Sequence, residues 1–514
     1  MFRRLLLALC LLPIAACEEG AISAADESIR MTFVADEGLH DPAFEGRVSY
    51  TVSAAHLGLT ARAADGRIVP GLATSWRVLD EGHSYVFKLR EAYWPDGRRI
   101  TSGDVVAVLR RQLSPGSVSP LKPYLMDIEG AIAVAGNRAP PRMLGVADPL
   151  PDVVTITLSQ ENPNLLALLA EPSLAILRSR DDPPPPSGAY RIEREDGAPR
   201  ALLPNLSWYG ADEETPLTPI WLTDALPADD AIESYMKGDT DIVIGGDTAG
   251  LRRVQAPDLA PSLRMERTYG FYGYLARTGA GPLADPKVRR ALSMAIDREA
   301  IINDLFALPD LQAAYGPLPP TLPPAYAGAV PDWSVWTQEA RMGEARRLLA
   351  EAGIAPDKSI SLDVALPQGG ETHTEVLNAI AERWAPLGIT LRGYTRRPDD
   401  HRKAIADGDF DLALIERIAP MPLARYFLRP FRCDVRLGGF CSPEADGLMR
   451  QADASTDRGT RIDMTRRAAR IIAEEAPILP VFSPVRWALV RPGIGGWEDN
   501  ISGAHPPRFL TRGS

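Results

Sequence analysis

Two stretches far apart in this chain carry the same punctuation, and they constrain the fold more than anything else in it. In "AIESYMKGDTDIVIGG" and in "AIADGDFDLALI", a helix end is followed by Gly, Asp, any residue, Asp and then an apolar strand, at Gly238 to Ile242 and again at Gly408 to Leu412. A glycine at such a place ends a helix because it adopts the left-handed conformation without steric cost. The first copy closes a strand, helix, strand unit: Ile220 and Leu222 in one strand, Ile232 to Met236 in the helix, Ile242 to Ile244 in the next strand. The second follows "SISLDVALP", a helix from Glu371 to Trp384, and "GITLRGY", another unit of the same kind. Two such units, widely separated, imply two α/β lobes. At 514 residues the chain is also too long for one core and divides into two or three domains.

Between and before these units the pattern is mixed. "SIRMTFVADEGLHDPAF" offers one strand and a turn. In "SWRVLDEGHSYVFKLREAYWPDGRRITSGDVVAVLRRQL", two strands meet at Asp80 to Gly82, and Tyr85, Phe87 and Leu89 alternate with Lys88 and Arg90. Pro95 to Gly97 break the strand, and Thr101 with Asp104 starts a helix through Val105, Val106 and Leu109. "DVVTITLSQ" is a further strand, and the prolines of "DDPPPP" at 181–186 mark a domain crossing. One long helix is expected over "DPKVRRALSMAIDREAIINDLF", capped by Asp285 with Pro286 first and apolar residues at 288, 291, 292, 295, 296, 301, 302 and 305. "QEARMGEARRLLAEAG" gives another, burying Met342, Ala345, Leu348, Leu349 and Ala352 and ending at Gly353.

The N-terminus, "MFRRLLLALCLLPIAACEEG", has two arginines, an apolar run and small residues before Cys17, the layout of an export signal. The run is too short to span a bilayer. "IAAC" resembles the bacterial lipobox, which implies cleavage after residue 16, lipidation of Cys17 and a periplasmic location anchored to a membrane. In that compartment the neighbouring Cys433 and Cys441 read as a short structural disulfide. The six histidines are scattered, without metal-ligand spacing, so no metal and no cofactor is expected. The chain has 56 basic and 67 acidic residues; loss of the signal with its two arginines leaves 54 against 67, or −13. That balance disfavours nucleic acid as a partner.

Enzymatic signatures are missing: no GxSxG elbow, no P-loop, and no GxGxxG after a strand. The carboxylate pairs Asp239 with Asp241 and Asp409 with Asp411 stand where strands begin, which suits turns better than acid–base work. "TYGFYGYL" puts Tyr272 and Tyr274 on one strand face, Tyr269 and Phe271 on the other. Packing in a core and an aromatic wall beside a ligand both fit that pattern.

The block "VPGLATSWRVLDEGHSYVFKLREAYWPDGRRITSGDVV", followed in order by "DPKVRRALSMAIDREAI", "AYGPLPP", "EARRLLAEAG" and "EEAPILPVF", resembles the extracellular solute-binding proteins of family 5. These are the peptide, dipeptide and nickel binders that serve ABC importers, and the resemblance spans essentially the whole mature chain. It implies an α/β, two-lobed periplasmic-binding-protein fold (type II, cluster C-like) with an additional third domain. The implied division is 1–16 signal; 17–56, 175–268 and 483–514 lobe I; 57–174 extra domain; 269–482 lobe II. It also implies a monomeric, non-enzymatic binder that encloses a short peptide or other small solute between closing lobes and hands it to permease and ATPase subunits.

Site residues carry over one at a time. Glu45, Gly46 and Arg47 fall in the early loop that lines the cleft in relatives, and Tyr274, with Tyr272 on the same face, falls on a cleft-side tyrosine. In the oligopeptide binders, the segment after the Gly-x-Phe-Asp strand carries a Trp and, three residues on, an Asp that holds the peptide ammonium. Here Arg417 stands at the Trp, Ile418 follows it, Pro420 replaces the Asp, and Leu414 replaces an Arg often found there. Loss of that carboxylate and gain of a cation favour a carboxylate or phosphate on the ligand. The alternatives to a peptide are therefore an anionic metabolite, opine-like or a sugar acid, or a sensory role for the same fold. The cysteine reading gives a direct prediction. Thiol titration of the oxidised mature chain finds neither Cys433 nor Cys441 reactive, and Cys433→Ser lowers stability by about 2 to 4 kcal/mol in denaturant unfolding.

Overall fold

The computed structural model describes residues 28–35, 47–178, 183–196, 198–211, 217–246, 248–355, 358–368 and 371–513. Cys17, Glu45 and Gly46, and the two aspartates of the "DDPPPP" segment, Asp181 and Asp182, lie outside them. Three sheets organise the chain. A seven-stranded sheet runs in the order Leu263–Arg267, Val485–Val490, Ile242–Gly246, Ile29–Phe33, Ile220–Leu222, Ala198–Pro204, Tyr190–Glu195. A six-stranded sheet runs Gln312–Ala313, Ile478–Ser483, Tyr269–Ala276, Leu412–Ala419, Ile360–Pro367, Ile389–Arg396. A four-stranded antiparallel sheet, Ala73–Leu79, Ser84–Leu89, Val153–Thr157, Val146–Leu150, packs under the helix Ser102–Gln112.

Each of the two larger sheets has a parallel triplet at its heart. In the first, Ile29–Phe33 lies between Ile220–Leu222 and Ile242–Gly246; in the second, Ile360–Pro367 lies between Ile389–Arg396 and Leu412–Ala419. In both, a helix (Ala228–Lys237, Pro398–Asp407) leads through a left-handed glycine, Gly238 or Gly408, into the last strand of the triplet. The repeated Asp-x-Asp then does the same work twice. Asp241 donates its amide to the Arg30 carbonyl at 2.8 Å, and its carboxylate accepts the Arg30 amide at 2.9 Å. Asp411 donates to Asp363 at 3.1 Å and accepts the Asp363 amide at 3.0 Å. The carbonyls of Asp241 and Asp411 each take an arginine amide at 3.0 Å, from Arg491 and Arg277, and the same arginines pair with the carboxylates. Arg30 and Arg512 add further bonds to Asp241, which is 1% exposed. Burial pushes the Asp241 carboxyl up, but these donors outweigh it and hold it below its ordinary value.

The opening corner is built as its sequence dictates. Tyr85, Phe87 and Leu89 are buried, and the Asp104 carboxylate accepts from the Thr101 amide and hydroxyl in a capping box. The expected long helix after Asp285 is instead broken. Pro286–Ala295 ends at Ile296, which is extended, and Asp297 caps a second helix, Arg298–Ile301, that runs on as a π turn over Ile302–Phe306. The cause is Arg298, fully buried, whose guanidinium donates to the carbonyls of Ser293, Ile296, Ala314 and Pro480 and to the Ser293 hydroxyl. Turning the chain at Ile296 exposes those carbonyls to it. Met342 and Ala352, expected in the core, are only half-buried, whereas Ala345, Leu348 and Leu349 are buried. Cys433 and Cys441 are joined as a disulfide.

Because the Asp241 carboxylate is buried among cations and amide donors, Asp241→Ala strands them and is expected to cost about 3 to 5 kcal/mol. The matching Asp411→Ala, at a more exposed site, costs less, about 1 to 3 kcal/mol. Urea unfolding midpoints of the two variants against the unaltered chain check both the size and the order.

Candidate functional site

Strands that run parallel end together, and open α/β sheets place their ligand sites at those carboxyl ends. Here the carboxyl ends of the seven-stranded sheet's triplet and that of one strand of the second triplet, Leu412–Ala419, meet at one cavity of about 470 Å³. From the seven-stranded sheet come Phe33, Val34 and Ala35 after the first strand, Ala225, and Ile244, Gly245 and Ala249 around the third. From the six-stranded sheet come Glu416 and Pro420, at the end of Leu412–Ala419. The helix Arg47–Ala55 supplies Ser49, Tyr50 and Ser53, the segment after it His56 and Arg62, and the hairpin region Tyr190, Trp208 and Tyr209. A strap near the C-terminus, Ser502 to Arg508, covers one side. Gly246 lets the wall form: a Cβ there would sit 1.9 Å from the ring of fully buried Trp487, whose indole donates to the Ala249 carbonyl at 2.8 Å.

The polar groups of this cavity form few but specific contacts. Thr248 donates to the Glu416 carboxylate at 3.1 Å, linking the two sheets across the space. Arg62 pairs with Glu171 at 2.9 Å, and the same terminal nitrogen donates to the Pro420 carbonyl at 3.3 Å. Glu171 is buried, and desolvation pushes its carboxyl up despite Arg62. His505 lies 3.2 Å from Glu266 and stacks on Trp497 at 3.6 Å. His56 is lowered to about 4 by burial, which keeps its ring neutral, and burial also pushes the Tyr50 phenol up. Among the described residues, no group of three or more His, Cys, Asp or Glu is placed to hold a metal, and no helix is long and apolar enough to cross a membrane.

The residues singled out from sequence meet different fates. Pro420 lines the cavity, and Arg47 is the first residue of the helix that walls it. Glu45 and Gly46 lie outside the described residues. Tyr272 and Tyr274 are not on the wall: they are fully buried in the core of the six-stranded sheet, Tyr272 stacking on Phe482 at 4.7 Å and meeting His373 at 3.2 Å. Their strand is central and covered on both faces, so alternation could not tell core from cleft. Arg417 turns to the opposite face from Glu416, lies 4.2 Å over the Tyr426 ring and donates to the Tyr426 carbonyl at 3.3 Å. Ile418 is buried without lining the cavity.

Glu416 is the residue that sequence reasoning passed over. Its signal was present: one acid in the apolar run "LALIERIA" at the carboxyl end of a parallel strand, where a buried charge demands a partner. Tyr50, His56 and Trp208 gave no comparable signal, because they come together only through tertiary structure.

A sequence model of the bacterial extracellular solute-binding proteins, family 5 Middle, matches residues 67–437. The periplasmic oligopeptide-binding protein OppA of Escherichia coli is 26% identical over 457 residues, covering 86% of this chain and 83% of that protein. The periplasmic murein peptide-binding protein MppA of the same species is 26% identical over 463 residues, covering 86% and 84%. Among solved structures, the Escherichia coli murein tripeptide binding protein MppA superposes with a TM-score of 0.80 at 23% identity, covering 95% of this chain and 98% of that one. Haemophilus influenzae OppA in complex with the peptide RPPGFSPFR gives 0.79 at 21% identity, covering 95% and 99%.

The buried neutral His56 makes stability depend on pH. The unfolded chain takes up a proton near pH 6.5 that the folded chain refuses until about pH 4, so stability is present above 6.5 and falls through that window. The loss approaches roughly 3 kcal/mol. Denaturant unfolding at a series of pH values is expected to show this slope in the unaltered chain and a shallower one in His56→Gln.

Proposed function

The chain belongs to the bacterial extracellular solute-binding proteins of family 5, with their two-lobed type II fold, and from that premise we propose that it binds a short peptide between its lobes for delivery to an ABC importer. The observation that carries this reading is the cavity between the two large sheets, with a buried carboxylate from the strand Leu412–Ala419 of one and a long apolar and aromatic wall around the triplet of the other. A volume of about 470 Å³ suits a small, largely enclosed ligand. We take the seven-stranded sheet as lobe I (17–56, 175–268, 483–514), the six-stranded sheet as lobe II (269–482) and the four-stranded sheet as the extra domain (57–174). The relatives' periplasmic location and the N-terminal pattern support export and anchoring through Cys17.

Glu416 is the proposed partner of the ligand's ammonium. The carboxylate missing at position 420 is thus supplied four residues earlier, from the neighbouring face of the same strand end and still on the cavity wall. The anionic alternative loses its main support, because Arg417 stacks on Tyr426 and does not line the cavity. Isothermal calorimetry with a tripeptide and its N-acetylated form tests this. The unaltered chain binds the free amine more tightly, and Glu416→Gln reduces that preference about tenfold or more, since a buried ammonium without its carboxylate pays its desolvation uncompensated. An unchanged preference in Glu416→Gln overturns the assignment.

A further inference from the structure

Buried polar side-chain atoms of the cavity wall without a hydrogen-bond partner among the described residues include the Tyr50 hydroxyl, Nδ1 of His56 and Nε1 of Trp208, and, on the C-terminal strap, Nδ1 of His505. His56 and Trp208 are 7% and 8% exposed. The chain on either side of them is anchored to one short segment, Ser187 to Tyr190. Gly188 lies so close to the chain at Ala54 to His56 that a Cβ on it would meet the Ala54 carbonyl at 2.7 Å and the His56 amide at 2.9 Å. The Gly188 carbonyl accepts the Asn205 side-chain amide at 2.8 Å, and Asn205 in turn accepts the Trp208 amide at 3.0 Å. Tyr50 faces the neighbouring Tyr190, whose own hydroxyl is occupied by the carbonyls of Thr218 and Pro507.

A hydrogen bond left unmade at a buried site is destabilising, because the group has given up water and received nothing in exchange. Phenylalanine at 50 and 208 would line an apolar wall without that cost, so these groups fit a ligand that bonds to them. Their chemistry says which. Nε1 of Trp208 only donates, the Tyr50 hydroxyl donates or accepts, and a neutral His56 can accept. The surroundings are flat and aromatic: Phe33 packs edge-on against Tyr50 at 5.3 Å, and Trp208 lies 4.9 Å from Tyr209. Arg62 on this wall is engaged by Glu171 and by the Pro420 carbonyl, and Tyr50, His56 and Trp208 themselves offer hydrogen bonds and no charge. A phenol meets all of these demands: its ring fits between aromatic walls, its oxygen accepts from Trp208, and its proton goes to His56 or Tyr50.

We propose that Tyr50, His56 and Trp208 form a specificity subsite for the phenolic side chain of a tyrosine in the bound peptide. This rests on the peptide reading above. The test uses calorimetry on the mature full chain with paired tripeptides, alanine elsewhere, that carry tyrosine or phenylalanine at the first, second or third position. At one position the unaltered chain is expected to bind the tyrosine peptide about tenfold more tightly than its phenylalanine partner, the lower end of what a site built for a hydroxyl achieves. Trp208→Phe and Tyr50→Phe should each bring that ratio below about threefold by weakening the tyrosine peptide more. Peptides that bind without a tyrosine preference at any position, or a preference that survives in both variants, overturn the subsite and leave the peptide reading standing. Binding of none of the six peptides overturns the peptide reading and the subsite with it.

Discussion

The aspartate that opens the last strand of each parallel triplet is the constraint on which the rest of the molecule hangs. A strand entering a sheet beside a parallel neighbour must pair its first amide and carbonyl with something, and here Asp241 and Asp411 do so with main-chain atoms on one side and an arginine on the other. The left-handed glycine before each of them sets the angle at which the strand arrives. Register follows, and a slip of one residue would turn every side chain of the strand to the other face. In the six-stranded sheet that register decides that Glu416 faces the cavity and Arg417 faces Tyr426.

Locking the amino ends frees the carboxyl ends for binding. Both sheets are pinned at one edge of the triplet and open at the other, and the chain passes between them at Thr268 and at Pro484. These two crossings are tied together, since Thr268 is fully buried and donates its hydroxyl to the Pro484 carbonyl at 2.8 Å. Two adjacent strands bonded at their crossing are the kind of element-terminal position that absorbs a hinge rotation while each sheet stays rigid.

Much of this was legible in the sequence, because it is written in local rules. The repeated Gly-Asp-x-Asp, the alternation of Tyr85, Phe87 and Leu89, and the cap at Thr101 and Asp104 each depend on a few neighbouring residues, and each forms as those residues dictate. The break at Ile296 was not legible, because it answers to Arg298 reaching carbonyls that come from Ala314 and Pro480. The site was harder still. Tyr272 and Tyr274 looked like wall residues, yet a strand buried on both faces offers aromatics to two cores. Arg417 read as a ligand cation because sequence spacing alone does not say which neighbour will take it. Glu416 was readable in principle, as a lone acid in an apolar strand; Tyr50, His56 and Trp208 were not, since what they share is a place on the cavity wall, which only the tertiary structure gives them.

The contacts that hold the two sides of the cavity together differ in kind, and the difference bears on how closure is controlled. Thr248 to Glu416 and Arg62 to the Pro420 carbonyl are bonds that water can replace when the sides separate, so each is worth only about 0.5 to 3 kcal/mol net. Contacts of that size are small enough for a ligand touching both sides to outweigh them by its differential affinity. Away from the cavity, the four-stranded sheet's side meets the six-stranded one through more firmly held groups. Arg425 pairs bidentately with Asp127, which is 2% exposed and also bonded by Gln160 and Asn162, while Asn164 and Arg461 reach the carbonyls of Pro422 and Glu161 across the same boundary. Gln160 and Asn162 keep the Asp127 carboxylate oriented whether or not Arg425 is present, so the pair re-forms without reordering its acceptor. A carboxylate held ready in this way lowers the entropic cost of docking. Fixed acceptors at that boundary and exchangeable bonds at the cavity together leave the decision to close with whatever occupies the site.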